Sequence, residues 1–308
     1  MPAYRGISEQ STSMHDMKYA IQHKTIYQYA TPVSLCQNVV MLTPRVSPYL
    51  SCSNHRLTIR PTPTYSHSRT DAMGNHVTVF AIEESHNQLT ITSSSNVVLI
   101  ERLFSIENPS PSVQELTTSL DRQTARNWFD AVPFRYDSAR IRRSQLYADF
   151  IRGFIDPSTP TLQVLHRLSE QIHRGFQYSK DATKVDTPTE EAFNGRAGVC
   201  QDFAHIAIAC LRSIGIPARY VSGYLRTIPP AGKTRLVGAD QSHAWVSAWC
   251  GDELGWVDID PTNHCFCKLD HIAVAWGRDY SDVVPIKGVF LGTGEPKLEV
   301  SVDVRPEA

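Results

Sequence analysis

Long hydrophobic runs are missing from this sequence. Nowhere do about 18 apolar residues follow one another, so no helix spanning a bilayer is expected. The opening residues, "MPAYRGISEQSTSMHDMKYAIQHK", lack the apolar core of about 7–15 residues that a secretory signal carries, and the expected location is cytoplasmic. An excess of charge of one sign is missing too. Thirty Lys and Arg against 31 Asp and Glu give a formal net charge of −1, with no long Lys/Arg run, so neither nucleic acid nor an anionic membrane surface is an expected partner. Regularly spaced cysteines are also lacking. Seven of them, at 36, 52, 200, 210, 250, 265 and 267, fit neither a compact disulfide scaffold nor a zinc-finger spacing, and most are expected as free thiols. The stretch "NHCFCKLDH" offers His264, Cys265, Cys267 and His271 as soft ligands, but its C-x-C has no matching second pair, so no metal is expected. Internal repeats and low-complexity tracts are absent.

What remains is a chain of 308 residues with 41% hydrophobic content, long enough for two units. Over residues 17–107, short runs such as "YAIQHKTIYQYA", "HRLTIRPTP", "NHVTVFAIEE" and "NQLTITSSSNVVLIE" alternate with turn signals, which predicts an all-β, sandwich-like domain. In "HVTVFAI" both alternating faces are apolar enough to predict a strand covered on both sides. "ENPSPSVQELT" reads as a boundary. Beyond it, over 112–308, apolar residues recur at three and four, as in Leu162, Leu165, Leu168 and Ile172, and after Pro217 the period drops to two. The strands "ARYVSGYL", "HAWVSAWC" and "GWVDID" then follow. Helices first and strands afterwards predict an α+β unit with helices packed on an antiparallel sheet.

In "GRAGVCQDFAHIAIACLRSIGIP", the residues Phe203, Ile206, Ala207, Cys210, Leu211 and Ile214 form an apolar stripe, and "GIP" ends the helix. Cys200 therefore falls in the first turn, where unpaired N–H groups and the positive end of the helix dipole favour thiolate over thiol. Gly198, two residues earlier, leaves room for a substrate backbone. Cys210, inside the stripe, reads as buried filler. A thiolate nucleophile needs an imidazole and a group to orient it. His243 opens the strand "HAWVSAWC", and the next strand offers Asp258 and Asp260 on one face, either of which could accept the imidazole N–H. A thiol redox role ranks last, because Cys200 has no C-x-x-C partner.

"GVCQDFAH", "SHAWVSAW" and "GWVDIDPTN", in that order, resemble the three core motifs of the transglutaminase-like superfamily. "YAIQHKTIYQYATPV", "MLTPR" and "DAMGNHVTVF" resemble the bacterial transglutaminase-like N-terminal region, and the tail from "HIAVAWGRDY" onward resembles the C-terminal continuation of bacterial members. The resemblance implies a papain-like transglutaminase core after the β-rich domain. It implies Cys200 as nucleophile, His243 as base and Asp260 as orienting acid, leaving Asp258 as a solvated or helix-facing carboxylate. It also implies aromatic residues about the cleft, for which Tyr178, Trp245 and Trp256 are the candidates, and the Cys200 amide as an oxyanion donor. No calcium loop of the kind found in animal members is legible, so neither metal nor cofactor is expected. The implied activity is acyl transfer on a peptide or protein amide through a thioester. Hydrolysis is the favoured outcome, after bacterial members described as cysteine proteases. Transamidation by the same triad and a non-catalytic binding module are the alternatives.

Overall fold

The computed structural model describes residues 16–102, 104–227 and 241–307. The front of the chain forms strands β1 (Asp16–Val33), β2 (Leu35–Val40), β3 (Leu50–Arg60), β4 (Tyr65–Thr70), β5 (His76–Ile82) and β6 (His86–Ile100). In β6 the alternation is strict: Leu89, Ile91, Ser93, Ser95, Val97 and Leu99 are buried on one face. In β5 both faces are covered, Val77 and Ala81 on one and Phe80 and Ile82 on the other, as its apolar pattern predicts.

After the serine- and proline-rich boundary, Ser112 and Glu115 form a reciprocal cap that starts α1 (Val113–Asp121). The helical stretch continues with α2 (Trp128–Ala131), α3 (Gln145–Arg152) and α4 (Thr161–Gly175). Next come the short strand β7 (Gln177–Tyr178), α5 (Thr189–Gly195), the short strand β8 (Ala197–Gly198) and α6 (Cys200–Ser213). Gly215, at φ +87°, ends α6 in the left-handed turn that its "GIP" signal predicts. The strands that follow are β9 (Ala218–Leu225), β10 (Gln241–Trp249), β11 (Trp256–Asp260), β12 (Cys265–Phe266) and β13 (His271–Gly277). They form an antiparallel sheet in the order β12-β11-β10-β9-β13. Ala244, Val246, Ala248, Val257 and Ile259 pack into one core with Phe203, Ile206, Ala207 and Cys210 of α6 and Leu162, Leu165 and Leu168 of α4. This is the expected α+β layer of helices on an antiparallel sheet.

The last two strands, β14 (Ile286–Leu291) and β15 (Lys297–Glu307), do not extend that sheet. β15 pairs with β1 and β14 with β2, so the sandwich consists of two four-stranded sheets, β15-β1-β6-β3 and β14-β2-β5-β4. The division at 112–308 is corrected accordingly: the tail folds with the front domain. Its pairing hides the edges of β1 and β2, which would otherwise present unpaired backbone groups. The front domain in turn covers the five-stranded sheet. Tyr19, Ile21, Val97, Leu99, Val302 and Val304 pack against Tyr224, Ile272 and Val274, so that sheet has helices on one face and the sandwich on the other. Within that sheet, Gly223 of β9 lets its neighbours β10 and β13 approach closely. A Cβ there would overlap the Ile272 carbonyl oxygen and the Trp245 ring edge. Gly223→Ala is expected to destabilise the protein by about 1–3 kcal/mol through this overpacking. A thermal-melting midpoint no lower than that of the parent would refute it.

Candidate active site

The amide of Cys200 precedes the first helical bond of α6, which runs from Phe203 N–H to the Val199 carbonyl at 3.1 Å. Asp202, three positions into the helix approach, turns its carboxylate back to accept from Val199 N–H at 2.8 Å and from the Thr183 hydroxyl at 2.6 Å. Burial pushes the Asp202 carboxyl up, and these hydrogen bonds oppose the shift. Asp202 is also why position 198 must be glycine: a Cβ there would lie 2.5 Å from its Oδ2. The room at Gly198 is thus filled by the capping carboxylate, where the sequence suggests an approaching substrate.

Cys200 itself is half-buried, and its side chain hydrogen-bonds the His243 ring. The Nε2 of His243 donates to Asp260 Oδ2 at 2.7 Å, which leaves Nδ1 as the ring atom for the thiol. Burial works against a charge on His243. The hydrogen bonds and negative charge of Asp260 and Cys200 outweigh it and raise the ring to about 10. Asp260 is fully buried, which alone would raise its carboxyl. The His243 and His271 hydrogen bonds and charges reverse that and hold it well below the usual carboxylate range.

Asp260 is the hub of the site. Its Oδ2 accepts from His243, from His271 Nε2 at 3.2 Å and from Asn263 Nδ2 at 2.6 Å; its Oδ1 accepts from the backbone N–H groups of Thr262 at 2.8 Å and Asn263 at 3.2 Å. The turn after β11 folds back on the carboxylate, the local geometry that an Asp before Pro-Thr-Asn favours. Sequence reasoning missed Asn263 and assigned His271 only to the possible ligand cluster. The D-P-T-N string was the available signal for Asn263.

Asp258, the competing carboxylate, accepts the Trp245 indole N–H at 3.0 Å. It is only half-buried, and it holds that ring rather than an imidazole. Trp245 packs edge-on against His271 at 5.3 Å and lies 6.3 Å from the His243 ring, so it braces both imidazoles from behind. Tyr178 is 44% exposed, packs on Phe203, and has its hydroxyl pushed up by burial and by its proximity to Cys200. It therefore borders the thiol. Trp256 does not join them: it meets the Arg219 guanidinium with its ring face and packs edge-on with Trp249 and Phe134.

The four residues of "NHCFCKLDH" are not brought together as a ligand set. His271 turns to Asp260, while His264 turns to the Ser169 hydroxyl and the His166 ring. Among the described residues, the cluster with metal-ligand spacing is His243, Asp260 and His271, whose ligand atoms lie within 4.8 Å of one another. Those same nitrogens and oxygen already satisfy each other as donors and acceptor, so a cation there would have to displace the orienting hydrogen bond of His243.

Two family descriptions match the chain: residues 19–98 match the bacterial transglutaminase-like N-terminal region, and residues 148–261 match the transglutaminase-like superfamily. An uncharacterized protein of Mycobacterium tuberculosis is 36% identical over 94% of this chain and 93% of its own. The protein-glutamine gamma-glutamyltransferase of Pseudomonas aeruginosa is 36% identical over 39% of this chain and 18% of its own. The crystal structure of a "putative cysteine protease" from Cytophaga hutchinsonii shares the fold with a TM-score of 0.73 at 20% identity, covering 94% of this chain and 91% of that one.

Proposed function

The chain belongs to the transglutaminase-like superfamily, and from that premise we propose that it is a cysteine peptidase or amidase, acting on peptide or protein amides through a thioester on Cys200. One observation carries the proposal: the His243 ring is held between the Cys200 thiol at a helix N-terminus and a fully buried carboxylate. The Cys200 thiolate attacks the amide carbonyl, forming a carbon–sulfur bond and an oxyanion that the Cys200 amide is placed to receive. Protonated His243 gives its proton to the departing amine as the carbon–nitrogen bond breaks. Water then adds to the thioester while His243 takes its proton, and the acid leaves as the thiol is restored. Asp260 stays ionised throughout and holds the ring in the tautomer that directs Nδ1 to sulfur.

Water is the acceptor in this reading because it outnumbers any amine at an accessible thioester. The stretch shared with the Pseudomonas aeruginosa glutamyltransferase favours the second reading, in which a primary amine resolves the same intermediate. Incubation of the enzyme with an amide substrate and excess labelled amine decides between them. Free acid as the main product supports hydrolysis, and amine incorporation without free acid overturns it. The cytoplasmic location expected from the sequence is part of the proposal.

The raised His243 value fixes the expected pH profile. The protonated ring is complete below its ordinary value of 6.5 and is lost only as pH rises through about 10. Activity should accordingly hold through pH 8–9 and fall along an alkaline limb near 10. An alkaline limb close to 7 would show that the Asp260 and Cys200 contacts do not govern the ring.

A further inference from the structure

A cavity of ≈ 830 Å³ lies between the sandwich and the β9–β13 sheet; Trp245, Asp258 and His271 line it, and neither Cys200 nor His243 does. Seven of its lining residues are Phe, Tyr or Trp, and the charged groups facing it are Arg45, Arg102, Arg219 and Lys268 against Asp130 and Asp258. The cations are not equivalent. Arg102 is committed to the Leu254 and Trp256 carbonyls, Lys268 to Glu101 and Arg45 to Asn75.

Arg219 stands apart. It is 8% exposed, yet among the described residues its guanidinium makes no hydrogen bond or ion pair, and its buried Nε is left without a partner. It is held instead by ring faces, 4.1 Å from the centre of Trp256 and 3.7 Å from that of Trp276, with Arg45 on the far side of Trp276 at 3.4 Å. Arg212 shows what a structural buried arginine looks like in this protein. It is 1% exposed and spends its N–H groups on the carbonyls of Tyr136, Ala218 and Arg278 and the Ser138 hydroxyl. Burial lowers Arg219 to about 9, the cost of a charge without hydrogen-bond partners, with the negative charge of Asp258 opposing the shift. A guanidinium held against two indole faces is restrained in direction, which suits a bidentate acceptor.

We propose that this cavity is a ligand site for an amphipathic anion, a carboxylate on a flat apolar body, with the carboxylate paired to Arg219 and the body laid against the aromatic walls. The chemistry follows from the inventory: an excess of two cationic groups over carboxylates, one guanidinium with no hydrogen-bond or ion-pair partner among the described residues, and ring surfaces too extensive for a small inorganic ion. The proposal does not rest on the acyl-transfer reading, although Trp245 and His271 border both sites.

Titration calorimetry of the full chain with 2-naphthoate and with the neutral isostere 2-naphthamide tests it. The expected result is saturable one-site binding of naphthoate, with naphthamide weaker by about tenfold or more. Arg219→Gln should weaken naphthoate by a similar factor, while Cys200→Ala should bind it like the parent. Equal affinities for acid and amide, unchanged affinity in Arg219→Gln, loss of binding in Cys200→Ala, or no saturable binding at millimolar naphthoate would each overturn the proposal. The acid-against-amide contrast uses the parent protein, so it decides the matter even if Arg219→Gln does not fold.

Discussion

Cys200→Ala is expected to lower amide turnover by about 10⁴-fold or more while leaving the fold intact. The sulfur is the only atom in the site able to form the thioester, and what remains after its removal is binding and an oxyanion donor. No other thiol can take over. Burial pushes up Cys36, Cys52, Cys210, Cys250, Cys265 and Cys267, Cys265 to about 11 and Cys250 to about 12. Iodoacetamide near neutral pH should therefore modify Cys200 in the parent protein and leave no comparable adduct in the variant, as intact-mass spectrometry would show. The side chain is half-buried and small, so stability should change by no more than about 1 kcal/mol. That makes lost turnover attributable to chemistry. Undiminished turnover in a purified Cys200→Ala protein would end the acyl-transfer reading.

How far this site is legible in the sequence depends on how local each interaction is. The helix from Cys200 to its stop at Gly215 follows from a stripe and a glycine signal within one segment. The strands β9, β10 and β11 follow from alternation, and the antiparallel adjacency of β10 and β11 from the short chain between them. The choice between Asp258 and Asp260 does not follow from spacing, because both lie on one face. It is decided by contacts from elsewhere, the Trp245 indole at one and two imidazoles at the other. His271 reaches Asp260 from β13, at the opposite side of the sheet order, and its place in a cysteine-rich stretch pointed to ligand chemistry instead. The pairing of the tail with β1 and β2 joins residues 246 to 289 positions apart, a register that no local pattern encodes. Arg219 is illegible for a similar reason. In "ARYVSGYL" it is an ordinary charged residue, and only the convergence of Trp256 and Trp276 shows that its charge is buried against rings.

Asp260→Asn is expected to cost about as much activity as removal of the nucleophile, on the order of 10⁴-fold in kcat, by a different route. The carboxylate faces donors on both sides: Oδ1 takes two backbone N–H groups, and Oδ2 takes His243, His271 and Asn263. An asparagine has one oxygen for the two sides. With its oxygen towards the backbone donors, its NH₂ confronts the two imidazoles and the Asn263 amide. His243 relieves that clash by moving its proton to Nδ1, and a neutral ring in that tautomer offers sulfur a hydrogen where the thiol needs an acceptor. With the asparagine reversed, the NH₂ confronts the Thr262 and Asn263 amides and the turn after β11 loosens. Either orientation also removes the charge that helps raise His243 to about 10, so the residual alkaline limb should move down towards the ordinary imidazole range. Breaking a fully buried, charge-assisted network should cost about 3 kcal/mol or more of stability, seen as an earlier thermal or denaturant midpoint. Iodoacetamide reactivity of Cys200 gives a readout that a merely loosened fold would not move in this direction: it should fall, because the imidazole no longer accepts the thiol proton. Asn263→Ala separates the two contributions, since it withdraws one donor from Oδ2 but leaves the carboxylate and both histidines in place. It should lower stability while keeping the limb near 10. A full-activity Asp260→Asn protein, or one whose alkaline limb stays near 10, would show that this carboxylate does not set the state of His243.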